Sequence, residues 1–235
     1  METITISPIA HIHTDFPEKF GIPRQSGLVP ELEARIVFEP EYRNPEALRG
    51  IREYSYLWLI WGFSENKYDR FHATVKPPRL GGEKRGVFAT RSPFRPNGLG
   101  LSSVRLVEVE EDPNLGSVLV VTGADLMDGT PIYDIKPYVP YADAHPDAAG
   151  SFGEAHKTDR IRVICPEELL KRIPESKRDA LIRVLELDPR ASYEKQPDYV
   201  YGLAFDRFEI RFTADSETLT VTDILPAGTA ARAKS

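Results

Sequence analysis

Apolar and polar residues alternate through much of the first two thirds of the chain, the period-2 signature of half-buried strands. Ile4 and Ile6 set this pattern over residues 3–9, and residues 34–39 repeat it. Residues 54–63 (YSYLWLIWGF) are apolar at nearly every position, which predicts a strand buried on both faces. Further strands are predicted over 86–89, 104–109 and 117–122, with turn residues between them at 111–114 (EDPN) and 128–129 (DG). Residues 45–52 suit one short helix. Many strands at short spacing, with Gly/Pro turns and little helical periodicity, predict a mainly β fold built as a barrel or sandwich.

The pattern breaks over residues 141–160, where small and polar residues leave no periodicity and a linker is expected. Helical spacing follows. Pro166 opens a short amphipathic stretch, and Ser176 can cap a second helix that carries Leu181 and Leu185 on one face. Two strands come next, their apolar parity changing at Asp206-Arg207, which implies a bulge or bend; 218–222 reads as a last strand. The expected organisation is a barrel-like domain at 1–145, a linker at 146–160, a small α+β domain at 161–226 and a disordered tail at 227–235.

The net charge of −6 is ordinary for a soluble protein, but it is unevenly spread. Between residues 76 and 100 stand Lys76, Arg79, Lys84, Arg85, Arg91 and Arg95 against the single acid Glu83. That local net of +5 leaves −11 for the rest, and marks a surface for something anionic such as RNA. Cys165 is the only cysteine, so an intrachain disulfide is impossible and a thiolate zinc site nearly so. No secretory signal is visible, and the longest apolar run is too short to span a bilayer as a helix, so a cytoplasmic protein is expected.

Three segments concentrate chemistry. Residues 21–28 (GIPRQSGL) place Arg24 and Gln25 in a Pro/Gly-framed loop, suited to clamping a carboxylate or reading an adenine edge. Residues 76–100 combine the cations with five glycines and four prolines. Residues 124–140 (ADLMDGTPIYDIKPYVP) carry Asp125, Asp128 and Asp134, although Asp128-Gly129-Thr130-Pro131 alone is equally a turn whose Asp and Thr satisfy their own backbone. His11 and His13 lack a third ligand nearby in sequence, so no metal is expected. Trp58 and Trp61 are expected to fill the barrel core.

Together PRQ at 23–25, KPPRLGG at 76–82, GVFATRSPFRPN at 86–97 and DLMDGTPIYDIKPY at 125–138 resemble the signature segments of the TrmO family, also called TsaA-like or YaeB-like. The likeness extends to LDPRASY at 187–193 and the strands beyond 199. It implies a non-Rossmann, β-barrel-like S-adenosylmethionine domain and a homodimer with its active site near the subunit interface. The activity implied is methylation of N6 of adenosine 37 in threonine tRNA that already carries threonylcarbamoyl. Position by position, the resemblance assigns cofactor contacts to Pro23, Arg24, Gln25, Phe63, Ser64, Arg91, Leu101, Asp125, Leu126, Met127 and Asp128. Two positions depart from the family pattern. Ser64 stands where His is frequent, and Gly98-Leu99-Gly100 stands where Pro-Ile-Gly is frequent, which implies a looser loop after Asn97.

Methyl transfer to an exocyclic amine needs in-line alignment and an acceptor for the departing proton. Asp128, Asn97, Asp134 or a backbone carbonyl are the candidate acceptors, and Arg24 and Arg91 suit the cofactor's carboxylate. Lys76, Arg79, Lys84, Arg85 and Arg95 are expected to meet the tRNA backbone. Two other readings share the same loops: a module that binds adenosylmethionine or RNA without turnover, and a methyltransferase with another acceptor.

Overall fold

A computed structural model describes residues 3–66, 71–77, 80, 82–155, 158–190, 196 and 199–228. Arg79, His156, residues 191–193 of the 187–193 segment and most of the expected tail lie outside the described residues.

The first strand, β1 (Ala10–His13), begins where residues 3–9 were expected to end. Residues 3–8 form no strand, and Ile4 and Ile6 are exposed: their alternation has no neighbouring edge to pair with. β2 (Glu33–Phe38) and β3 (Tyr56–Gly62) follow. In β3 only one parity is fully buried, Leu57, Leu59 and Trp61, because the inside of a barrel accepts one face of each strand. Trp58 therefore points outward, its indole N–H donating to Asp143 at 3.0 Å, and only Trp61 fills the core. Instead of one helix over 45–52 there are two 3-10 turns, Pro45–Leu48 and Ile51–Glu53, separated by Gly50 in the left-handed region.

A short arm, β4 (Thr74–Val75) paired with β5 (Arg85–Gly86), projects between β3 and β6. The strand expected over 86–89 is a 3-10 turn after its first residue, Gly86. β6 (Leu99–Asp112), β7 (Gly116–Thr122) and β8 (Thr130–Pro137) complete a closed barrel in the order β1-β2-β7-β6-β3-β8. Its interior is lined by Ala10, Ile12, Ala34, Ile36, Phe38, Leu57, Leu59, Trp61, Val104, Leu119, Val121 and Ile132.

The 141–160 stretch is less irregular than expected, holding α1 (Pro140–Asp143) and α2 (Ser151–Ala155). Beyond it come β9 (Arg162–Ile164), α3 (Glu167–Leu170), α4 (Glu175–Glu186), β10 (Tyr201–Phe205), β11 (Phe208–Ala214) and β12 (Thr218–Pro226). Pro174, not Ser176, occupies the N-cap of α4, and no side chain caps it. Asp206-Arg207 is a two-residue hairpin turn, since Phe205 pairs with Phe208; the bulge lies instead at Arg211/Phe212. β9 was not anticipated: it is three residues long and adds to β12 in parallel. The sheet β10-β11-β12-β9 buries Leu203, Phe205, Ile210, Phe212, Leu219 and Val221 with Leu181, Val184 and Leu185 of α4.

The connection from β1 to β2, residues 14–32, belongs to the barrel in sequence but buries Phe16, Val29 and Leu32 in the C-terminal core. Phe16 meets Phe205 edge to face at 5.8 Å between centroids. Among the described residues, no helix is long and apolar enough to cross a membrane.

Candidate functional site

One end of the barrel interior is polar. Ser102 lies on the inward parity of β6, buried beside Leu59 across the β3–β6 ladder. Trp61 Nε1 donates to Ser102 Oγ at 3.0 Å, and Ser102 Oγ donates to Asp125 Oδ1 at 2.6 Å. Such a chain leaves neither the indole nor the hydroxyl unsatisfied in the core, and it fixes the carboxylate at the barrel mouth. Burial pushes the Asp125 carboxyl above its ordinary range, opposed by the Ser102 hydroxyl, its own and Ser26's backbone N–H groups and the nearby Arg91 charge.

The 23–28 loop is pinned against this corner. Gly27 N–H donates to Gly123 O at 2.8 Å, and Ser26 Oγ accepts from the Ser103 N–H at 3.2 Å. Gln25 Oε1 accepts from Arg91 Nη1 at 2.5 Å, which joins the first loop to the segment after the β4–β5 arm. The loop 23–28, the end of β3, the 90–94 segment and the 123–128 corner thus converge from four separated stretches of sequence.

A hollow of about 190 Å³ lies among them, walled by Lys19, Ile22, Trp61, Phe63, Ser64, Pro93, Asp125, Leu126, Met127 and Thr130. Pro93 also borders a larger hollow of about 760 Å³ whose walls include Arg24, Gln25, Leu28, His72, Lys76, Arg91, Phe94 and Arg160. Alone, the smaller hollow is tight for a nucleoside with an amino-acid tail; with its neighbour, the space reaches the size usual for such ligands. The donor set suits a zwitterion joined to an aromatic base. Lys19 and Arg91 are cations, Asp125 an anion, and Phe63 packs on Trp61 at 4.4 Å to give an aromatic wall. No cluster of His, Cys, Asp and Glu among the described residues could hold a metal ion.

The residues singled out from sequence divide here. Phe63, Ser64, Asp125, Leu126 and Met127 wall the smaller hollow; Arg24, Gln25 and Arg91 wall the larger one. Pro23 is buried beneath the loop and borders a third hollow with Lys19, Ile22 and Arg24. Arg24 Nη2 donates to the carbonyls of Leu187 at 3.1 Å and Asp188 at 2.8 Å, which ties the loop to the end of α4. Leu101 points away from the barrel interior and is exposed. Asp128 Oδ1 accepts from Thr14 N–H and from His13 Nδ1, both at 3.1 Å. Asp134 is paired with Lys136 at 2.9 Å on the barrel exterior, and Asn97 is exposed in the turn before β6. That turn is held where looseness was expected, since Gly98 O accepts from the Phe63 N–H at 2.9 Å. Gly98 has φ +56°, which a proline cannot adopt. Lys76, Lys84, Arg85 and Arg95 all lie on the arm or just beyond it; Arg85 is paired with Glu83.

Lys19, Ser26 and Ser102 were missed from sequence. Ser102 carried a usable signal, because it shares the parity of inward Val104 in an otherwise alternating strand.

Comparison with known proteins gives this geometry a family. Residues 11–144 match the model of the tRNA-methyltransferase O N-terminal domain, and residues 159–227 that of the TrmO C-terminal domain. The chain is 38% identical over 224 residues to the tRNA (adenine(37)-N6)-methyltransferase of Escherichia coli K12, covering 90% of this chain and 94% of that protein. It is 40% identical over 210 residues to a putative S-adenosylmethionine-dependent methyltransferase of Pseudomonas aeruginosa, covering 86% and 88%. A crystal structure of TrmO from P. aeruginosa superposes with a TM-score of 0.78 at 33% identity, over 96% of this chain and 98% of that one.

Proposed function

The chain belongs to the tRNA-methyltransferase O family, and from that premise we propose that it transfers a methyl group from S-adenosylmethionine to N6 of adenosine 37 in tRNA. The finer reading is a threonine tRNA already carrying threonylcarbamoyl, acted on in the cytoplasm by a homodimer. One arrangement carries the proposal: Gln25, Arg91 and Asp125, from three distant segments, around hollows that also hold Phe63, Leu126 and Met127.

When bound, S-adenosylmethionine supplies a methyl group on an electrophilic sulfonium. The chain's residues supply position and field. Arg91, oriented by Gln25, and Lys19, whose Nζ donates to Glu65 O at 3.1 Å and Asn66 Oδ1 at 2.8 Å, provide cations for a carboxylate. Asp125 provides a fixed negative group, held by Ser102 so that it does not reorganise during reaction. Phe63 and Trp61 exclude water from one wall.

For the proton leaving N6, Asp128 has the strongest claim of the three candidates. It adjoins wall residue Met127, and its Oδ1 lies 3.1 Å from His13 Nδ1. Asp134 is engaged with Lys136.

Purified protein with methyl-labelled cofactor and threonine tRNA, with and without threonylcarbamoyl, tests the reading. Label is expected at N6 of adenosine 37 in the modified tRNA. Binding of cofactor with no transfer to any tRNA would mean a binding module; transfer only to a protein or small molecule would mean a different acceptor.

A further inference from the structure

Among the described residues, the exposed phenylalanines are Phe71, Phe88 and Phe94, and all three lie on or beside the β4–β5 arm. Phe88 is 72% exposed, Phe71 58% and Phe94 49%. Exposure of one large apolar side chain is ordinary, but three within one arm are a surface built for contact.

Their arrangement is specific. Val87 N–H donates to Ala73 O at 3.0 Å and closes the arm, which brings Phe71 and Phe88 into a stacked pair, 6.4 Å between centroids and 26° between planes. The Arg95 guanidinium lies 5.9 Å from the Phe88 centroid. It is held there by donating to Thr90 O at 2.7 Å and Val87 O at 3.3 Å. Lys76, Lys84 and Arg85 lie on the same arm, with Glu83 the one acid, already paired with Arg85. Phe94 follows Pro93, which borders both hollows, so the aromatic surface leads into the candidate site.

Flat, exposed rings interleaved with cations match one class of partner: unpaired nucleotides, whose bases stack on aromatic faces while the backbone meets the charges. A second copy of this chain fits less well, because a two-fold interface would lay this cationic face on itself.

We propose that Phe71, Phe88 and Phe94, steadied by Arg95, form a base-stacking platform for the single-stranded loop of the RNA substrate. The inference rests on the tRNA reading above and names the surface that grips the loop. Withdrawing one base from a stacked loop has a cost, and stacking its neighbours on protein offsets it.

The test compares wild type, Phe88→Ala, Phe71→Ala/Phe88→Ala and Phe88→Trp. The measurements are binding of a labelled anticodon stem-loop, binding of a blunt RNA duplex without a loop, cofactor titration, and mass by sedimentation. Phe71 and Phe88 are exposed, so truncation leaves both cores intact. Expected results are loop binding weakened roughly 5- to 100-fold in the double variant, with duplex binding, cofactor affinity and mass unchanged. Phe88→Trp should restore or strengthen loop binding, and the salt slope should stay as in wild type, because no phosphate contact is removed. Equal loop affinity in wild type and the double variant would overturn the platform. So would a variant whose mass falls to that of a smaller oligomer, which would make the surface a subunit interface. If wild type methylates tRNA and the platform variants bind the loop as tightly as it does, the platform alone fails. If wild type neither binds nor methylates tRNA, the functional reading fails with it.

Discussion

Two long connections between barrel strands flank the candidate site, and they are built in opposite ways. Residues 14–32 are tied down on every side. Phe16, Val29 and Leu32 are buried in the C-terminal core, Asp15 pairs with Lys177, Arg24 donates to Leu187 and Asp188, and Gly27 bonds to Gly123. A β-carbon on Gly21 would fall 2.1 Å from Leu203 Cδ1, so even the backbone is in contact with the second unit. The 71–98 connection instead turns Phe71, Phe88 and Phe94 outward and is steadied in its arm by local hydrogen bonds such as those from Val87 and Arg95, with Arg91 to Gln25 and Gly98 to Phe63 tying its far end to the site. A small ligand is recognised by a wall that does not move, which limits the entropy lost on binding. A large polyanion is recognised by reach and surface chemistry. In this account the C-terminal unit therefore serves the cofactor end of the reaction, by holding the 14–32 loop.

The sharpest way to break this contrast is to truncate one phenylalanine from each connection. Phe16→Ala should cost about 3–5 kcal/mol in denaturant melts and weaken cofactor binding, because the loop loses its anchor. Phe88→Ala should change stability by less than about 0.5 kcal/mol. Equal effects would erase the distinction.

A smaller effect is expected at the ion pair that links the loop to α4. Burial raises the Asp15 carboxyl above its ordinary value even though Lys177 opposes the shift. A carboxyl raised in the folded state is favoured below its unfolded value of 3.8, and this contribution is lost as pH rises through its folded value. Lys177→Met removes the opposing charge, so stability at pH 7 should fall by about 1–3 kcal/mol and recover in part as the pH is lowered toward 4. Thermal melts between pH 4 and 8 check this; a pH-independent deficit would show that packing of the lysine stem, not charge, is what matters.

Next in size, Arg91→Ala should weaken adenosylmethionine binding at least tenfold, about 1.4 kcal/mol, as read by calorimetric titration, with tRNA binding much less affected. Smallest of all, Lys84→Ala on the arm should leave cofactor binding unchanged. It should lower the slope of log affinity for tRNA against log salt by about 1; an unchanged slope would place Lys84 away from the RNA backbone.

Alternation in β2 and β6 and continuous apolar runs in β3 and β7 made these four strands legible. β1 and β8 were not readable as barrel strands, since AHIH and TPIYDIKP mix charge, histidine and proline; their pairing with each other closes the barrel only in three dimensions. The docking of Phe16 on Phe205 was invisible for the same reason, being a contact between distant stretches. At the site, the resemblance singled out the 125–128 segment, but nothing in it distinguishes two aspartates three positions apart. Only the fold shows Asp125 turned to Ser102 and the hollow, and Asp128 turned to His13 and Thr14. Likewise the two carbonyls that Arg24 bonds, those of Leu187 and Asp188, lie more than 160 positions away and could not be read from the loop's own sequence.

A crystal structure with S-adenosylhomocysteine decides whether the corner of Gln25, Arg91 and Asp125 is the cofactor site. Density is expected in the hollow between the end of β3 and residues 125–127, with its carboxylate toward Arg91 or Lys19. Density seated elsewhere, touching none of Gln25, Arg91 and Asp125, would contradict it.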